Sequence, residues 1–577
     1  MNWATFQHKV NRFSRWFWVA HLTVFLALSV GFASLIWSDH AHGAWGDDSP
    51  GYTFLAGRLL KGEPLVYQDP LVQAGLDFFG EERQARWLTP THHEIISPDG
   101  WMASIYPIGL SVLQWLAAKV WGTDVAFYGV VPVSAGLVVG LTYVLGVLLL
   151  QGVRWRVPVA LGASIALASS SLFFEHALAQ PMREIPSMVF VLVGTILALL
   201  SFRWRTKTKK WWLTGWLLAG LAFGMATNIR ETSIVVIPAI SGLMVARKRS
   251  QGLQGLLKSL WKPLMAFTIG FFLIYSISIW NSVEISQQKV KFRKKDITSV
   301  AVTSNIDHIS SLSFQNVFNN QGKFSTGEGS LPHYWEIMRK ATPILFLFPA
   351  ILLGLWSVWK TDKRRALLLI LWPLGTLVIF SLWVNPYARY ILPAFPPLLL
   401  LTFIGVKFFL QRIIPHLTQI KYLQWGFSAL AVLAILIPFG QTVATEWTDL
   451  RTKDLLIFKS ISFTDLQQLK DLGEKTTGPN PVVLFTGDWQ YGISETFEIH
   501  TGIKSIRFPL ENKRFDIPAD QLAEFISVML KGYTVYVWTD ETTTSETQQF
   551  LSRFKRSTVD TFTSSYAEQI RVDRVDL

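Results

Sequence analysis

Residues 104–120, "SIYPIGLSVLQWLAAKV", form an apolar run of nearly bilayer length, and whether that run crosses the membrane decides the sidedness of everything after it. Eleven further runs surround it, at 16–37, 126–150, 157–174, 185–202, 211–226, 232–246, 263–280, 342–359, 366–384, 390–410 and 423–439. The first lacks a small-residue cleavage pattern before Asp39 and reads as a retained signal-anchor. Basic clusters lie between later runs: "VRWR" (153–156), "RWRTKTKK" (203–210), "ARKR" (246–249), "KTDKRR" (360–365) and the region of Lys421. Such clusters belong on the cytoplasmic side. With the N-terminus inside, all five fall inside only if 104–120 does not cross. That stretch is therefore expected to be re-entrant or interfacial, which leaves about eleven spans.

Composition points the same way. Half of the 577 residues are apolar, 25 are Trp, and mean hydropathy is +0.31. The fold class expected is an α-helical polytopic membrane protein. The net charge of +13 does not indicate nucleic acid, because the basic residues sit between spans where membrane topology places them. Cys is absent, so disulfides, thiolate metal sites and Cys nucleophiles are excluded.

Two domains are expected, a membrane domain over 1–442 and a soluble one over 443–577. In the latter, "PVVLFTG" and "YTVYVWTD" read as buried strands, and "ADQLAEFISVMLKG" has helical apolar spacing ending in Gly. Strand, helix and strand suggest a small α/β domain, placed outside by the span count. It carries no phosphate-loop, metal-cluster or nucleophile-elbow pattern.

The same count puts 39–103, 175–184, 281–341 and 385–389 outside, with Arg230 in a tight hairpin. "KVKFRKK" (289–295) is an exception that a loop of that length tolerates. In "WGDDSPGYTFLAGRLLKG" (45–62), Ser49 and Pro50 fit a helix start and Gly62 a helix end. Tyr52, Leu55, Ala56 and Leu59 share a face, as in an amphipathic helix on the membrane surface. Asp47 and Asp48 precede it. They are either solvated capping residues or, ionised at the boundary, a general base. Glu175, His176, Arg183 and Glu184 gather at a second boundary, Arg230 and Glu231 at a third, and Tyr387, Arg389 and Tyr390 at a fourth. Charges collected at one membrane face suggest a polar site.

"GDDSPGYTFLAGRLLKGEPLVY", "YPIGLSVLQWLAAKVWG", "REIPSMVFVLVGTILALL" and "NPYARYILPAFPPLLLL" occur in that order. Together they resemble the GT-C superfamily of membrane glycosyltransferases, which includes protein O-mannosyltransferases and the lipid A aminoarabinose transferase. The similarity covers roughly residues 15–440. It implies an inverting transfer of a sugar from a polyprenyl-phosphate carrier to a lipid, glycan or protein acceptor on the outer side. An Asp four residues before a Tyr matches Asp48 and Tyr52, so the resemblance prefers Asp48 over Asp47 as base, and Glu184 falls where a second acid is expected. A phosphate leaving group needs cations rather than a general acid. Arg389, Arg58, Arg183 and Arg230 are the candidates, each set against a snorkelling or ion-paired structural Arg. Tyr52, Tyr106, Tyr387, His333 and Tyr334 are candidate substrate contacts, although Tyr334 and Trp335 fit an interfacial aromatic belt better.

The sequence departs from relatives twice. "MASIYPIG" lacks a Lys that several carry before the Tyr-Pro element, so another cation must take the phosphate. Arg-Glu-Ile-Pro stands where Asp-Ala-Pro is common, which moves the carboxylate by about one bond length. "THHE" (91–94) has the look of a metal site, but adjacent His rarely converge on one ion, and a solvated loop is expected. No cofactor is firmly implied; the sequence leaves use of a divalent metal open without supporting it. The partners expected are the lipid-linked sugar donor, its acceptor and membrane lipid. The competing readings are a lipid or solute transporter, disfavoured by the dissimilar halves of the chain, and a non-catalytic envelope-assembly protein. A bacterial inner membrane is the expected location.

Overall fold

The computed structural model describes residues 3–37, 49–91, 93–104, 106–150, 155–178, 182–207, 211–244, 253–289, 330–341, 348–383, 387–417, 461–487, 490–511 and 515–576, with isolated positions between 420 and 445. The chain opens with α1 (Trp3–Trp37). The first loop then holds α2 (Ser49–Lys61), α3 (Pro70–Phe79) and α4 (Glu82–Ala85), with short strands β1 (Tyr67–Gln68), β2 (His93–Ile95) and β3 (Trp101–Ser104) in the antiparallel order β1-β3-β2. The run that decided the topology becomes α5 (Gly109–Trp121). At 13 residues it is about 20 Å long, too short to cross a hydrocarbon core of about 30 Å.

The helices that follow are α6 (Thr123–Leu149), α7 (Arg156–Ala168), α8 (Ser171–Leu178), α9 (Glu184–Lys207), α10 (Trp212–Ile229), α11 (Ile237–Met244), α12 (Leu253–Lys289), α13 (Ser330–Ala341), α14 (Phe348–Thr361), α15 (Lys363–Ser381) and α16 (Phe395–Phe408). Among the described residues seven helices are long and apolar enough to span, and α7 with α8, bent by 58°, adds an eighth as one broken span. Of the three remaining expected spans, 232–246 is a shorter apolar helix and α14 has 14 residues. The third, 423–439, lies largely outside the described residues. In lipid the helices have no water to squeeze out, so close backbone approach carries the packing. A Cβ on Gly220 of α10 would fall 2.0 Å from the Phe267 carbonyl oxygen of α12, and one on Gly405 of α16 would fall 1.8 Å from that of Ala350 on α14.

The C-terminal region is α/β, as its strand-helix-strand pattern predicts. It comprises α17 (Phe463–Lys475), β4 (Pro481–Phe485), α18 (Gln490–Thr501), β5 (Lys504–Arg507), α19 (Ala519–Met529), β6 (Thr534–Thr539), α20 (Ser545–Leu551), β7 (Lys555–Phe562) and β8 (Ile570–Asp576). The sheet order is β5-β4-β6-β8-β7, with β5, β4 and β6 parallel and β7 and β8 antiparallel. The expected boundary at 442/443 falls outside the described residues.

This region sits on the first loop, and that contact corrects two expectations. One apolar cluster joins Phe54, Tyr67, Leu71 and Trp87 of the loop to Leu484, Phe525 and Val535 of the sheet region. Helix α2, expected on the membrane surface, is instead buried from Ser49 to Gly57, because α5 covers one side and α18 another. "THHE" is likewise no solvated loop. His93 and Glu94 are buried in β2, the Glu94 carboxylate accepts from Arg86 at 2.7 Å, and Thr91 donates through its N–H and hydroxyl to Glu495 of α18. His92 lies outside the described residues. Local sequence could not reveal either burial, since part of the cover, α18, comes from some 400 residues away.

Candidate active site

Helix ends supply the site. Arg230 is where α10 stops: its backbone is extended, with φ −149° and ψ 112°. The tight 3-10 turn Glu231–Val236 follows. Glu184 is the first residue of α9, where the helix dipole favours a carboxylate. Arg389 lies in the 3-10 turn Ala388–Ala394 that leads into α16. These termini meet. Glu184 Oε1 takes Arg230 Nη1 at 3.1 Å and Arg389 Nε at 3.2 Å, with the Glu184 and Arg230 side chains only 1% and 3% exposed. Beside them Arg183 Nη1 lies 3.5 Å from Glu231 Oε2.

Aromatic rings wall the cations. The Arg230 guanidinium carbon is 4.8 Å from the Tyr390 ring centroid and 5.0 Å from that of Phe380. That of Arg389 is 4.7 Å from Tyr387. Cation–π contacts of this kind are stronger in a dry site. In the ion pairs among the described residues three guanidinium groups stand against two carboxylates, and Glu184 Oε2 makes no hydrogen bond among those residues. Excess buried positive charge is costly unless an anion joins it. Such an arrangement is chemically fitted to hold a phosphate, with planar forks offering paired N–H donors.

Helix α2 delivers the first loop to this cluster. Tyr52 is fully buried, with its ring centroid 4.7 Å from that of Tyr106, and the Arg183 guanidinium lies 5.8 Å from the Tyr106 ring. The Tyr-Pro element is pinned by Gly109. A Cβ there would fall 2.4 Å from the Asn228 carbonyl carbon, two residues before Arg230, so only glycine allows α5 so close to the end of α10.

The structure thus gathers Glu184, Arg183, Arg230, Arg389, Tyr52, Tyr106 and Tyr387. Asp47 and Asp48 lie outside the described residues, and the next residue, Ser49, opens α2. Tyr334 is completely buried in the same apolar cluster as Phe380 and Tyr390, so it is core rather than interfacial belt, whereas Trp335 is exposed. His333, half-buried, has its ring centroid 5.9 Å from that of Tyr334. Arg58 is not brought to the cluster. Its Nη1 pairs with Glu63 at 3.1 Å and its guanidinium stacks 3.4 Å over Tyr67, at the other end of α2. Glu231 and Tyr390, grouped at the same boundaries by sequence but given no role there, join the site, and Phe380 joins it without having been singled out. Among the described residues no group of three or more His, Asp or Glu side chains is arranged to hold a metal.

Neither a protein-family model nor a curated protein matches this sequence. Solved structures do match its shape. ArnT from Cupriavidus metallidurans in the apo state superposes with a TM-score of 0.55 at 12% identity, covering 96% of this chain and 98% of that one. The same protein bound to undecaprenyl phosphate gives 0.54 at 12% identity, covering 95% and 97%. The apo oligosaccharyltransferase from Archaeoglobus fulgidus gives 0.49 at 14% identity, covering 90% of this chain and 69% of that one. At such identity the likeness is one of fold: the chain is a multi-pass membrane protein that shares the fold of ArnT.

Proposed function

We propose that this protein is an inverting glycosyltransferase that moves a sugar from a polyprenyl-phosphate carrier to an acceptor at the outer face of a bacterial inner membrane. The observation that carries the reading is the Arg230–Glu184–Arg389 cluster at the ends of the membrane helices, in a fold shared with a protein solved with undecaprenyl phosphate bound. A lipid carrier stays in the bilayer while its phosphate and sugar meet a polar acceptor. The reaction therefore belongs at the boundary where those helix ends lie.

In this reading Asp48 takes the proton from the acceptor hydroxyl or amine as that group attacks the anomeric carbon. The bond to the carrier phosphate breaks on the opposite side, and the phosphate leaves with the bonding electron pair. Arg389, Arg230 and Arg183 stabilise the charge that develops on it. Glu184 holds two of those guanidinium groups in place, so it is a positioning residue for the cations. Asp47 caps or orients, and Tyr52, Tyr106, Tyr387 and His333 border the sugar. The N-terminus is cytoplasmic and the region 443–577 extracytoplasmic.

The test is transfer of labelled sugar from a panel of polyprenyl-phosphate sugars in proteoliposomes. One donor should be consumed, and Asp48→Asn should lower turnover by about 10²–10⁴, the usual contribution of a general base, with Asp47→Asn affected far less. Full activity in both variants, or no donor consumed with acceptors present, overturns the proposal.

A further inference from the structure

Helix α2 has two ends. One opens at Ser49, beside the Tyr52–Tyr106 ring pair that the Arg183 guanidinium borders. Nine residues on, about 14 Å along the axis, Arg58 borders a cleft of about 680 Å³ between the first loop and the C-terminal sheet. Its wall includes Arg58, Tyr67, Gln68, Asn480, Lys504 and Tyr533, so it lies at the amino ends of the parallel strands β5, β4 and β6.

Unlike the arginine cluster, this cleft has its charges matched. Lys504 Nζ is 2.7 Å from Asp69 Oδ2 and 3.9 Å from Glu498 Oε1, and Arg58 pairs with Glu63. Of the residues that line the cleft, two are cations, Arg58 and Lys504, and two are carboxylates, Glu63 and Asp69, which leaves nothing for a phosphate or an acidic headgroup. Each carboxylate already has a cation, so a basic ligand finds no open partner either. Fixed neutral groups face the space. The Gln68 amide donates to the Asp99 carbonyl at 2.9 Å and that of Asn480 to the Gly532 carbonyl at 3.1 Å, which holds both planes in position. Tyr533 is half-buried beside them, within electrostatic reach of Asp69 and Lys504. Oriented amides and an aromatic face over neutralised ion pairs suit a neutral, polyhydroxylated ligand, whose hydroxyls take and give hydrogen bonds and whose C–H faces stack on rings.

We propose that the cleft binds a short neutral oligosaccharide segment of the acceptor, with α2 setting the distance from that segment to the reacting end. The proposal rests on the glycosyltransferase reading for the identity of the ligand, though binding itself needs no turnover. It is tested by calorimetric titration of the full-length protein in nanodiscs, without donor, against a panel of neutral di- to tetrasaccharides, with inorganic phosphate and spermidine as charged probes. At least one neutral sugar should bind. Tyr533→Ala and Gln68→Ala should each weaken it by about fivefold or more, Tyr533→Phe should bind nearly as wild type, and Glu184→Gln should be unaffected, because it lies at the other end of α2. Binding of phosphate or spermidine alone, binding of no panel sugar, or sugar binding indifferent to Tyr533→Ala and Gln68→Ala overturns it. Sugar binding by wild type that Tyr533→Ala and Gln68→Ala weaken, with no transfer even by wild type, would break only the enzymatic reading. Normal transfer with indifferent sugar binding would break only the cleft.

Discussion

Two buried carboxylates, Glu184 and Glu495, stand in contrast. Glu495 is saturated: it accepts from the Thr91 N–H at 2.7 Å, from the Thr91 hydroxyl, from Ser494 at 2.7 Å and from the Gly492 N–H at 3.2 Å. Burial alone would raise its pKa, but Arg507 and these donors hold it below the ordinary Glu value. Glu184 has two cations on a single oxygen and no hydrogen bond to the other among the described residues. One carboxylate ties the C-terminal region to the first loop. The other sits in a cluster whose cations outnumber its anions. The lesson is that buried charge in this protein is structural where it is satisfied and a candidate for chemistry where it is left over.

The contrast breaks most visibly by substitution. Glu184→Ala leaves Arg230 and Arg389 buried together without their shared anion. Breaking such a cluster costs about 3–5 kcal/mol of stability. Transfer should fall by about 10² or more, because the phosphate-binding forks lose their orientation. Thermal unfolding in detergent and proteoliposome turnover report the two losses. Glu495→Gln should lower stability by about 1–3 kcal/mol, since an amide N–H₂ would face donors, while turnover per folded molecule stays within about twofold. If Glu495→Gln abolished turnover without loss of fold, the division between satisfied and surplus charge would be wrong.

How much of this was visible in the chain differs between the same two regions. The arginine cluster was legible, because residues at span boundaries are forced onto one membrane face by topology. Arg183, Glu184, Arg230 and Arg389 could be grouped without knowing which helices touch. Their pairing was not legible: that Glu184 takes Arg230 and Arg389, while Glu231 takes Arg183, depends on how α9, α10 and the turn before α16 pack. Burial of α2 and of His93 was hidden for another reason. Local periodicity reports which face of a segment is apolar, but it cannot report a cover arriving from residues 482–535. Arg58 shows the cost of reading a helix by composition. It lies on the flagged segment, yet its position at the far end of α2 sends it to a different cleft.

The smallest effect probes the interface between the first loop and the C-terminal region. The His93 ring is buried edge-on to Phe54, with centroids 5.2 Å apart, and its Nδ1 is 3.2 Å from the Thr91 carbonyl oxygen. Burial holds its pKa down to about 3, against a contrary pull from that carbonyl. The folded protein therefore keeps the ring neutral, whereas the unfolded chain protonates it below about 6.5. The stability this provides is complete above about pH 6.5 and drains away as pH falls toward 3, at up to about 1.4 kcal/mol per pH unit. Glu82, whose carboxyl burial pushes up to about 7, works in the opposite sense over the upper part of that window. Comparing wild type with His93→Leu cancels Glu82 and isolates the imidazole. The thermal midpoint of wild type should fall more steeply between pH 6.5 and 4.5 than that of the variant. Parallel pH profiles would mean that the ring is protonated in the folded protein, and that the seam between loop and sheet is wetter than its apolar cluster implies.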